Sequence, residues 1–234
     1  MPYRRLPNTD EARLRALKTA LKKAENTMPH LLAFNASDFV ILRRVAQTLE
    51  HAMISHKQSY SDRVKGNKAY LASFKKTKLY ISHFIQVLNL SITRNEIPKT
   101  ARKLYGLNIN EKSVPNMTSE ADILDWGKKV VGGEKERMSK GGSPIYNPKI
   151  ALVQIEYEKF ADLHHFQKTL QDIHERSSSK LNDLRKEVDE LILRIWNQTE
   201  QHFSNDDSVQ MRESALEYGV VYVYRRKEKL MYEL

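Results

Sequence analysis

The chain has 234 residues, of which 40% are hydrophobic, and its formal net charge at pH 7 is +10. This hydrophobic share is enough to bury a core without oligomerisation, which excludes disorder along the whole chain. Cysteine is absent, so disulfides, thiolate zinc sites, iron–sulfur clusters and cysteine nucleophiles are excluded and a cytoplasmic protein is favoured. With only 8 Gly and 7 Pro, the composition lacks the turns that β folds need and predicts an all-α protein.

The positive charge belongs to the first half of the chain. Residues 1–112 hold 21 Lys and Arg against 8 Asp and Glu, whereas residues 113–234 hold 18 against 21. Such an asymmetry is typical either of a surface that binds polyanions or of two halves of one bundle that attract each other. We favour the second interpretation.

The N-terminal sequence does not resemble a signal peptide. It is basic and then charged, as MPYRRLPNTDEARLR shows, and it contains no apolar run. No later stretch approaches the roughly 18 uncharged apolar residues that a transmembrane helix needs. We therefore expect a protein that neither enters nor spans a membrane.

An amphipathic helix is predicted near the N-terminus. Thr9 and Asp10 offer side-chain oxygens that cap a helix over residues 11–26. The leucines at positions 14, 17 and 21 form its apolar stripe, and Lys and Arg cover the other faces. The helix is expected to end before Pro29.

Residues 38–97 contain two apolar helical stripes separated by a polar stretch. Ser37 or Asp38 is expected to cap the first of them. The core-facing positions recur every three or four residues, at Leu42, Val45, Leu49, Ala52 or Met53 and His56, and then at Leu71, Phe74, Ile81, Ile85, Leu88 and Ile92. Gly66 lies in the middle of the polar stretch, and glycine favours the left-handed conformation just past a helix end. We therefore predict a hairpin turn near residues 65–67.

Residues 148–204 repeat this arrangement. Their core positions follow a 3-4 spacing over several heptads, a pattern typical of a coiled coil, at Phe160, Leu163, Gln167, Leu170, His174, Ser177, Leu181, Leu184, Val188, Leu191 and Ile195. The middle of the segment is again polar, and Ser178 or Ser179 is suited to cap a new helix. The pattern predicts a second hairpin turn near residues 176–179.

Two architectures agree with these stripes. With both hairpin turns, the chain forms an up-down four-helix bundle of long antiparallel helices, with extra short helices and one short C-terminal strand. Because the apolar phase runs through both polar stretches without a slip, the alternative is two very long helices that form an antiparallel rod. We favour the bundle, which treats residues 1–234 as a single helical domain. Both architectures put the two polar stretches at the same level.

Residues 98–147 are predicted to form an irregular insert with one amphipathic helix. Ser119, or the threonine before it, is expected to cap this helix, and Gly132 and Gly133 weaken its continuation. The sequence GGSPIYNP at residues 141–148 is the clearest loop in the chain.

Residues 219–234 are predicted to form a strand and a basic tail. Residues 220–224 are all β-branched or aromatic, which is typical of a strand, and the tail follows with Arg225, Arg226 and Lys227. A single strand needs a partner. The candidates are residues 3–6, the loop at 107–109, or the same strand of a second subunit.

A metal site is one hypothesis for a helical bundle. A ferritin-like di-iron site needs a Glu-x-x-His pair on each of two helices, and the sequence contains no such pair. Asp162 and His165 have the right i,i+3 spacing, and His56 and His174 belong to the same polar level. These four residues are weak candidates for metal ligands, with structural or surface histidines as the simpler interpretation.

A basic set in the first half suggests nucleic-acid binding. It comprises Arg63, Lys65, Lys68, Lys75, Lys76 and Lys78. Tyr60, Tyr70 and Phe74 are interleaved with these cations, and aromatic rings among cations suit base stacking together with phosphate contacts. A helical stripe of lysines is more commonly a solvated face, and no known nucleic-acid module is present.

No catalytic residue and no cofactor are assigned. The sequence lacks the G-x-S-x-G, H-E-x-x-H and glycine-rich phosphate-loop motifs that carry common chemistries. Long helices and a spare strand favour a non-enzymatic scaffold or protein–protein interaction protein, with an unknown protein partner or a homodimer. Nucleic-acid binding and metal binding are the two alternatives.

Four segments carry a resemblance to a known group of proteins. They are SHFIQVLNLSITRNEIP at residues 82–98, ARKLYGL at 101–107, EADILDWG at 120–127 and EYGVVYVY at 217–224. In these segments the chain resembles members of an uncharacterised family of bacterial all-helical proteins with no assigned activity. The resemblance implies a bacterial, cytoplasmic and helical protein, and it transfers no catalytic or binding role to any residue.

Overall fold

The computed structural model describes residues 2–224, so the basic tail at Arg225, Arg226 and Lys227 lies outside the described residues. The helices are α1 (Asp10–Glu25), α2 (Ala36–Thr93), α3 (Glu120–Ser139), α4 (Ile150–His202) and α5 (Ser208–Glu217). Short 3₁₀ helices span Pro29–Leu31 and Lys99–Tyr105, and two short strands, β1 (Tyr3–Arg4) and β2 (Tyr222–Val223), complete the described chain. The prediction of an all-α protein is confirmed.

The two predicted hairpin turns are wrong. Helix α2 runs for 58 residues through positions 65–67, and α4 runs for 53 residues through positions 176–179. The alternative of two very long helices therefore replaces the four-helix version. The reason is visible at Gly66, where an added Cβ atom would lie 2.8 Å from both Gln167 Oε1 and Leu170 Cδ1. Glycine at this position lets α4 approach α2 closely, and it does not form a turn.

Ser177, which precedes the two serines that were expected to cap a new helix, bonds within the continuous helix α4. Ser177 Oγ donates to the carbonyl oxygen of His174 at 2.8 Å, as serines inside helices commonly do. The same oxygen lies 2.8 Å from Ser59 Oγ on α2. The expectation that the two polar stretches lie at the same level is therefore confirmed.

The described chain divides into two compact units, a division that the sequence analysis did not anticipate. Unit 1 comprises the described residues of Met1–Tyr60 and His174–Leu234, and unit 2 is Ser61–Ile173. Each unit has its own apolar cluster. The fully buried side chains of unit 1 include Leu17, Leu42, Leu49, Val188, Ile192 and Trp196, and those of unit 2 include Ile81, Phe84, Leu88, Ile123, Val153 and Phe160.

Both ends of the described chain meet in unit 1. Tyr3 pairs with Val223 and Arg4 with Tyr222 in an antiparallel ladder, so the predicted C-terminal strand forms and takes the N-terminal segment as its partner. The N-cap of α1 is also as predicted, because Thr9 Oγ1 accepts the backbone N–H of Ala12 at 3.2 Å.

Ion pairs in unit 1 join cations of the first half of the chain to carboxylates of the second. Arg13 Nε lies 2.7 Å from Asp189 Oδ1, and Arg44 Nη2 lies 2.8 Å from Glu187 Oε1. Asp38 is buried and accepts hydrogen bonds from Arg194 and Gln198 at 2.9 and 2.8 Å. The expectation that Ser37 or Asp38 caps α2 is therefore wrong, because the helix already begins at Ala36 and this carboxylate faces α4.

Helix α3 of unit 2 begins as predicted and continues further. Ser119 caps it in a reciprocal capping box with Asp122. The helix passes Gly132 and Gly133 and ends at Ser139, so the predicted weakening is wrong. An added Cβ at Gly133 would lie 2.6 Å from the backbone oxygen of Leu104, so glycine here allows the 3₁₀ helix Lys99–Tyr105 to contact α3.

Candidate functional site

The six predicted nucleic-acid-binding residues, Arg63, Lys65, Lys68, Lys75, Lys76 and Lys78, all lie on α2 in unit 2. They do not share one face, because at 3.6 residues per turn Lys65 and Lys78 differ by about 140° around the helix axis. Lys76 Nζ pairs with the buried carboxylate of Glu156 at 2.6 Å. That hydrogen bond raises the pKa of Lys76, so this cation is already neutralised within the fold.

The aromatic residues of the same set are not placed to stack on bases. Tyr70 is buried, and its ring stacks on Phe160 with 5.7 Å between centroids. The ring of Phe74 also packs edge-on against Phe160, with 5.8 Å between centroids. Two of the three rings that suggested base stacking therefore belong to the core of unit 2.

The four weak metal candidates do not form one ligand set. His56 and His174 lie ring against ring in unit 1, with 5.0 Å between centroids, and Ser59 Oγ lies 3.2 Å from His174 Nδ1. Asp162 and His165 are exposed residues of α4 in unit 2. Between residues 2 and 224 there is no group of three or more His, Asp or Glu that could hold a metal ion. The metal hypothesis therefore receives no support from the described residues.

A cavity of about 850 Å³ lies within unit 2. Its walls come from the end of α2, the segment 96–104, the end of α3 and the loop at 141–147. Its apolar lining residues are Val87, Ile97, Ala101, Leu104 and Ile145. The cations Arg137 and Lys140, at the end of α3, also line the cavity.

Beside this cavity lies a buried polar cluster that we call the Tyr105–Glu134–Arg137 cluster. Arg137 donates from Nε to Glu134 Oε2 and from Nη2 to Glu134 Oε1, both at 2.8 Å. The hydroxyl of Tyr105 donates to Glu134 Oε2 and accepts from Arg137 Nε at 3.0 Å. Tyr105 and Glu134 have no exposed surface, so both charged partners of the ion pair are satisfied inside the protein.

The electrostatics of the cluster favour the charged pair at neutral pH. Burial raises the pKa of Glu134, but hydrogen bonds from Arg137, Tyr105 and the Ile145 amide lower it more, so its pKa lies below the usual range. The bond to Glu134 raises the pKa of Arg137, against the effect of burial. Burial and the Glu134 carboxylate together raise the pKa of the Tyr105 hydroxyl, which therefore stays protonated.

The cluster also fixes the loop that forms one wall of the cavity. Arg137 Nη2 donates to the carbonyl of Ser143 at 2.6 Å, and the amide of Ile145 donates to Glu134 Oε1 at 3.3 Å. Gly141 has a φ of 85°, and the amides of Gly141 and Gly142 bond back to Met138 and Arg137 in a Schellman motif. The loop was predicted from its glycines and prolines, but its attachment to α3 was not.

A second feature of unit 2 is an apolar groove lined by residues of α2 and of the segment that opens α4. Its volume is about 650 Å³. Four large apolar side chains along it are exposed to solvent, by 65% for Leu79, 74% for Tyr146, 40% for Leu152 and 59% for Ile155. Soluble proteins rarely expose such residues side by side without a binding role.

Lysines surround this groove. Lys149 lines it, Lys75 lies one helical turn before Leu79, and Lys159 lies one turn after Ile155. None of the three has an ion-pair partner among the described residues, and all three are exposed. The lining of the groove is therefore mainly apolar, with Lys149 in it and Lys75 and Lys159 one turn beyond its apolar residues on α2 and α4.

Comparisons of the chain with protein-family models, with curated proteins and with solved structures find no match. A search of the helices in the described part of the chain finds none that is long and apolar enough to cross a membrane. The geometry of the groove, the cavity and the buried cluster is therefore what indicates a function.

Proposed function

We propose that the protein is a non-enzymatic interaction protein whose groove in unit 2 binds an acidic amphipathic helix of a protein partner. The observation that carries this proposal is the row of exposed apolar side chains at Leu79, Tyr146, Leu152 and Ile155. Burying such side chains contributes about 25 cal/mol per Å² of apolar surface, which is the main driving force of association.

The charge of the rim supports an acidic partner. Lys75, Lys149 and Lys159 surround the apolar centre, and no carboxylate in residues 2–224 neutralises them. Complementary charges steer a partner to its site and exclude partners of the wrong sign. Apolar anchors spaced three or four residues apart on a helix fit a groove of this kind, with acidic residues on the two flanks meeting the lysines.

The alternative of nucleic-acid binding has less support from the geometry. Tyr70 and Phe74 are packed against Phe160, and Lys76 is paired with Glu156. What remains of the basic set lies beside exposed apolar residues, which suit a protein partner better than a phosphate backbone. A cytoplasmic location, which the lack of cysteine favours, belongs to the same proposal.

The proposal is tested with designed peptides. We expect an 18-residue amphipathic helix with a leucine stripe and glutamate flanks to bind in fluorescence anisotropy, and its lysine-flanked counterpart not to bind. The double variant Leu79→Ser, Ile155→Ser should weaken binding by about tenfold or more, as for central residues of other interfaces. Lys75→Glu with Lys149→Glu should also weaken it, and more strongly at low salt than at high salt.

Leu71→Ser provides the matched control, because Leu71 is a 46% exposed leucine of α2 outside the groove. Equal binding of both peptides, or binding that the groove variants leave unchanged, would contradict the proposal. Two other outcomes would identify a different occupant of the groove. If light scattering shows a dimer that Leu79→Ser dissociates, a second copy occupies the groove. If single-stranded DNA binds and only the lysine variant abolishes its binding, the surface recognises nucleic acid.

A further inference from the structure

We propose that the cavity beside the Tyr105–Glu134–Arg137 cluster is a binding site for a small monocarboxylate with an apolar body. This cavity is distinct from the proposed docking groove, with which it shares only Tyr146 and Asn147. A volume of about 850 Å³ falls in the range of small-molecule sites, which is about 300–1,000 Å³.

The cavity is preformed by bonds that are buried in unit 2. The guanidinium of Arg137 and the carboxylate of Glu134 hold the loop at Ser143 and Ile145, and the Schellman motif fixes its first residues. Gly142 is required for this arrangement, because an added Cβ would lie 2.5 Å from Arg137 Nη1. Because the wall is already ordered, little conformational entropy is lost when a ligand binds.

The apolar wall selects the body of the ligand. Val87, Ile97 and Leu104 line the cavity with branched aliphatic side chains, and Ala101 adds a small one. Two prolines, Pro98 and Pro144, extend this surface. A short alkyl or phenyl-alkyl group buries its surface against these residues without leaving a polar atom unpaired.

The cations select the charged end. Arg137 uses Nε and Nη2 on Glu134, Tyr105 and Ser143, which leaves Nη1 without a hydrogen-bond partner in the described chain. Nη1 lies beside Gly142, and both residues line the cavity. Guanidinium N–H groups bind carboxylate oxygens with strong, charge-assisted hydrogen bonds.

The charges around the cavity favour no more than one negative group. Glu134 compensates Arg137 inside the protein. The pairs Lys140 with Glu136 and Arg94 with Glu96 both join side chains that are at least half exposed, and such pairs contribute little. The ammonium of Lys140 and Nη1 of Arg137 can therefore bind one carboxylate, whereas Glu96, which also lines the cavity, disfavours a second.

The test uses octanoate and 4-phenylbutyrate as probes, with 1-octanol and 4-phenylbutanol as their neutral counterparts, in titration calorimetry. We expect one equivalent of each acid to bind and each alcohol to bind at least about tenfold more weakly, a factor that corresponds to about 1.4 kcal/mol. Thr100→Trp should abolish binding of acids and alcohols, because Thr100 is an exposed residue of the wall that a larger side chain extends into the cavity.

The Lys140→Met substitution should weaken binding of the two acids and leave binding of the two alcohols unchanged. Lys135→Met is its matched control, since Lys135 is exposed on α3 outside the cavity. Leu79→Ser with Ile155→Ser should also leave acid binding unchanged, which separates this site from the groove. Alcohols that bind as tightly as the acids, acids that bind equally to the Thr100→Trp variant, or no heat with millimolar acid and fully helical protein would each overturn the proposal.

Discussion

Particular cations of the two units differ in their ion pairing. In unit 1, Arg13 of α1 and Arg44 of α2 pair with the α4 carboxylates Asp189 and Glu187. In unit 2 the lysines at 75, 149 and 159 have no such partner within the described residues, although they lie beside exposed apolar side chains. The ion pair that unit 2 does bury, Arg137 with Glu134, supports the wall of a cavity.

This difference indicates where binding belongs. A surface whose charges are mutually satisfied gains little from a partner, because each new contact must first break an existing one. A surface of lysines without ion-pair partners, close to exposed apolar side chains, gains binding free energy both from new charge pairs and from burial of apolar surface. The comparison therefore supports the proposed binding surface at the lysines at 75, 149 and 159, whereas Arg137 and Glu134 of the same unit have a structural role.

The largest expected effect comes from breaking the buried pair. Arg137→Met leaves the Glu134 carboxylate buried without its partner, which should lower the free energy of unfolding by about 3–5 kcal/mol. Urea unfolding of protein labelled with 5-fluorotryptophan measures this by ¹⁹F NMR, because Trp126 lies in unit 2 and Trp196 in unit 1. The Trp126 signal should show the loss.

The control for this experiment is the double variant Arg137→Met, Glu134→Leu. It removes both charges and replaces them with apolar groups, so most of the lost stability should return. A Trp126 transition that Arg137→Met does not shift would contradict a structural role for the pair.

Two adjacent glycines of α3 provide the next comparison. Gly133→Ala places a Cβ against the backbone of Leu104 and should lower the free energy of unfolding by about 1–3 kcal/mol. An added Cβ at Gly132 has no neighbour within 4 Å, so Gly132→Ala should stabilise by about 0.5–1 kcal/mol. Thermal unfolding followed by circular dichroism measures both. Equal effects at the two positions would show that the 3₁₀ helix does not contact α3 as described.

A smaller effect is expected at Asp10 of unit 1. Its carboxylate lies 2.6 Å from Arg185 Nη2, and this hydrogen bond holds the pKa of Asp10 below its usual value. Because the pKa of Asp10 is lowered in the folded protein, its carboxylate contributes fully to stability above the ordinary pKa of aspartate. This contribution is lost as the pH falls through the pKa of the folded state. The Asp10→Asn substitution should therefore lower the free energy of unfolding by about 1 kcal/mol at pH 7 and leave it unchanged in strong acid.

Glu11→Gln is the matched control for this prediction, because Glu11 is an exposed carboxylate of the same helical turn. In urea unfolding at several pH values, Glu11→Gln should lower the free energy of unfolding at pH 7 by less than Asp10→Asn does. A cost of Asp10→Asn that persists in strong acid would contradict the role of its charge.

The smallest effect is expected in the groove. Leu79→Ser should change the free energy of unfolding by less than about 0.5 kcal/mol, because Leu79 is exposed and packs little. Ile81→Ala, two residues further along α2, should cost about 2–5 kcal/mol, because Ile81 is fully buried. Similar losses for the two variants, measured by urea unfolding, would mean that the groove is part of the core.

Sequence predicted the features that depend on neighbouring residues. The caps at Thr9 and Ser119 and the strand that ends at Val223 follow from local composition. Gly66 was misinterpreted, because its local preference indicates a turn while the residues that require glycine there, Gln167 and Leu170, lie a hundred positions away. The local sequence does not predict which distant helices approach each other.

The buried cluster was missed for a related reason. Glu134 and Arg137 continue the spacing of the buried positions Ile123, Gly127 and Val130 on α3, and this signal placed two charged residues on an apolar face. Charged residues on such a face are buried only when they are paired. The basic residues of α2 were found, but their pairing and the apolar groove beside them depend on α4, which the local sequence does not show.

Tyr146 and Asn147 line both the cavity and the groove, one wall for two sites. Two ligands that share a wall are coupled when the binding of one changes that wall, and thermodynamics requires such a coupling to be reciprocal. If a carboxylate in the cavity shifts Tyr146, it must change the affinity of the groove for its partner by the same factor by which the partner changes the affinity for the carboxylate. The shared wall would in that case link the proposed carboxylate site to the proposed partner site.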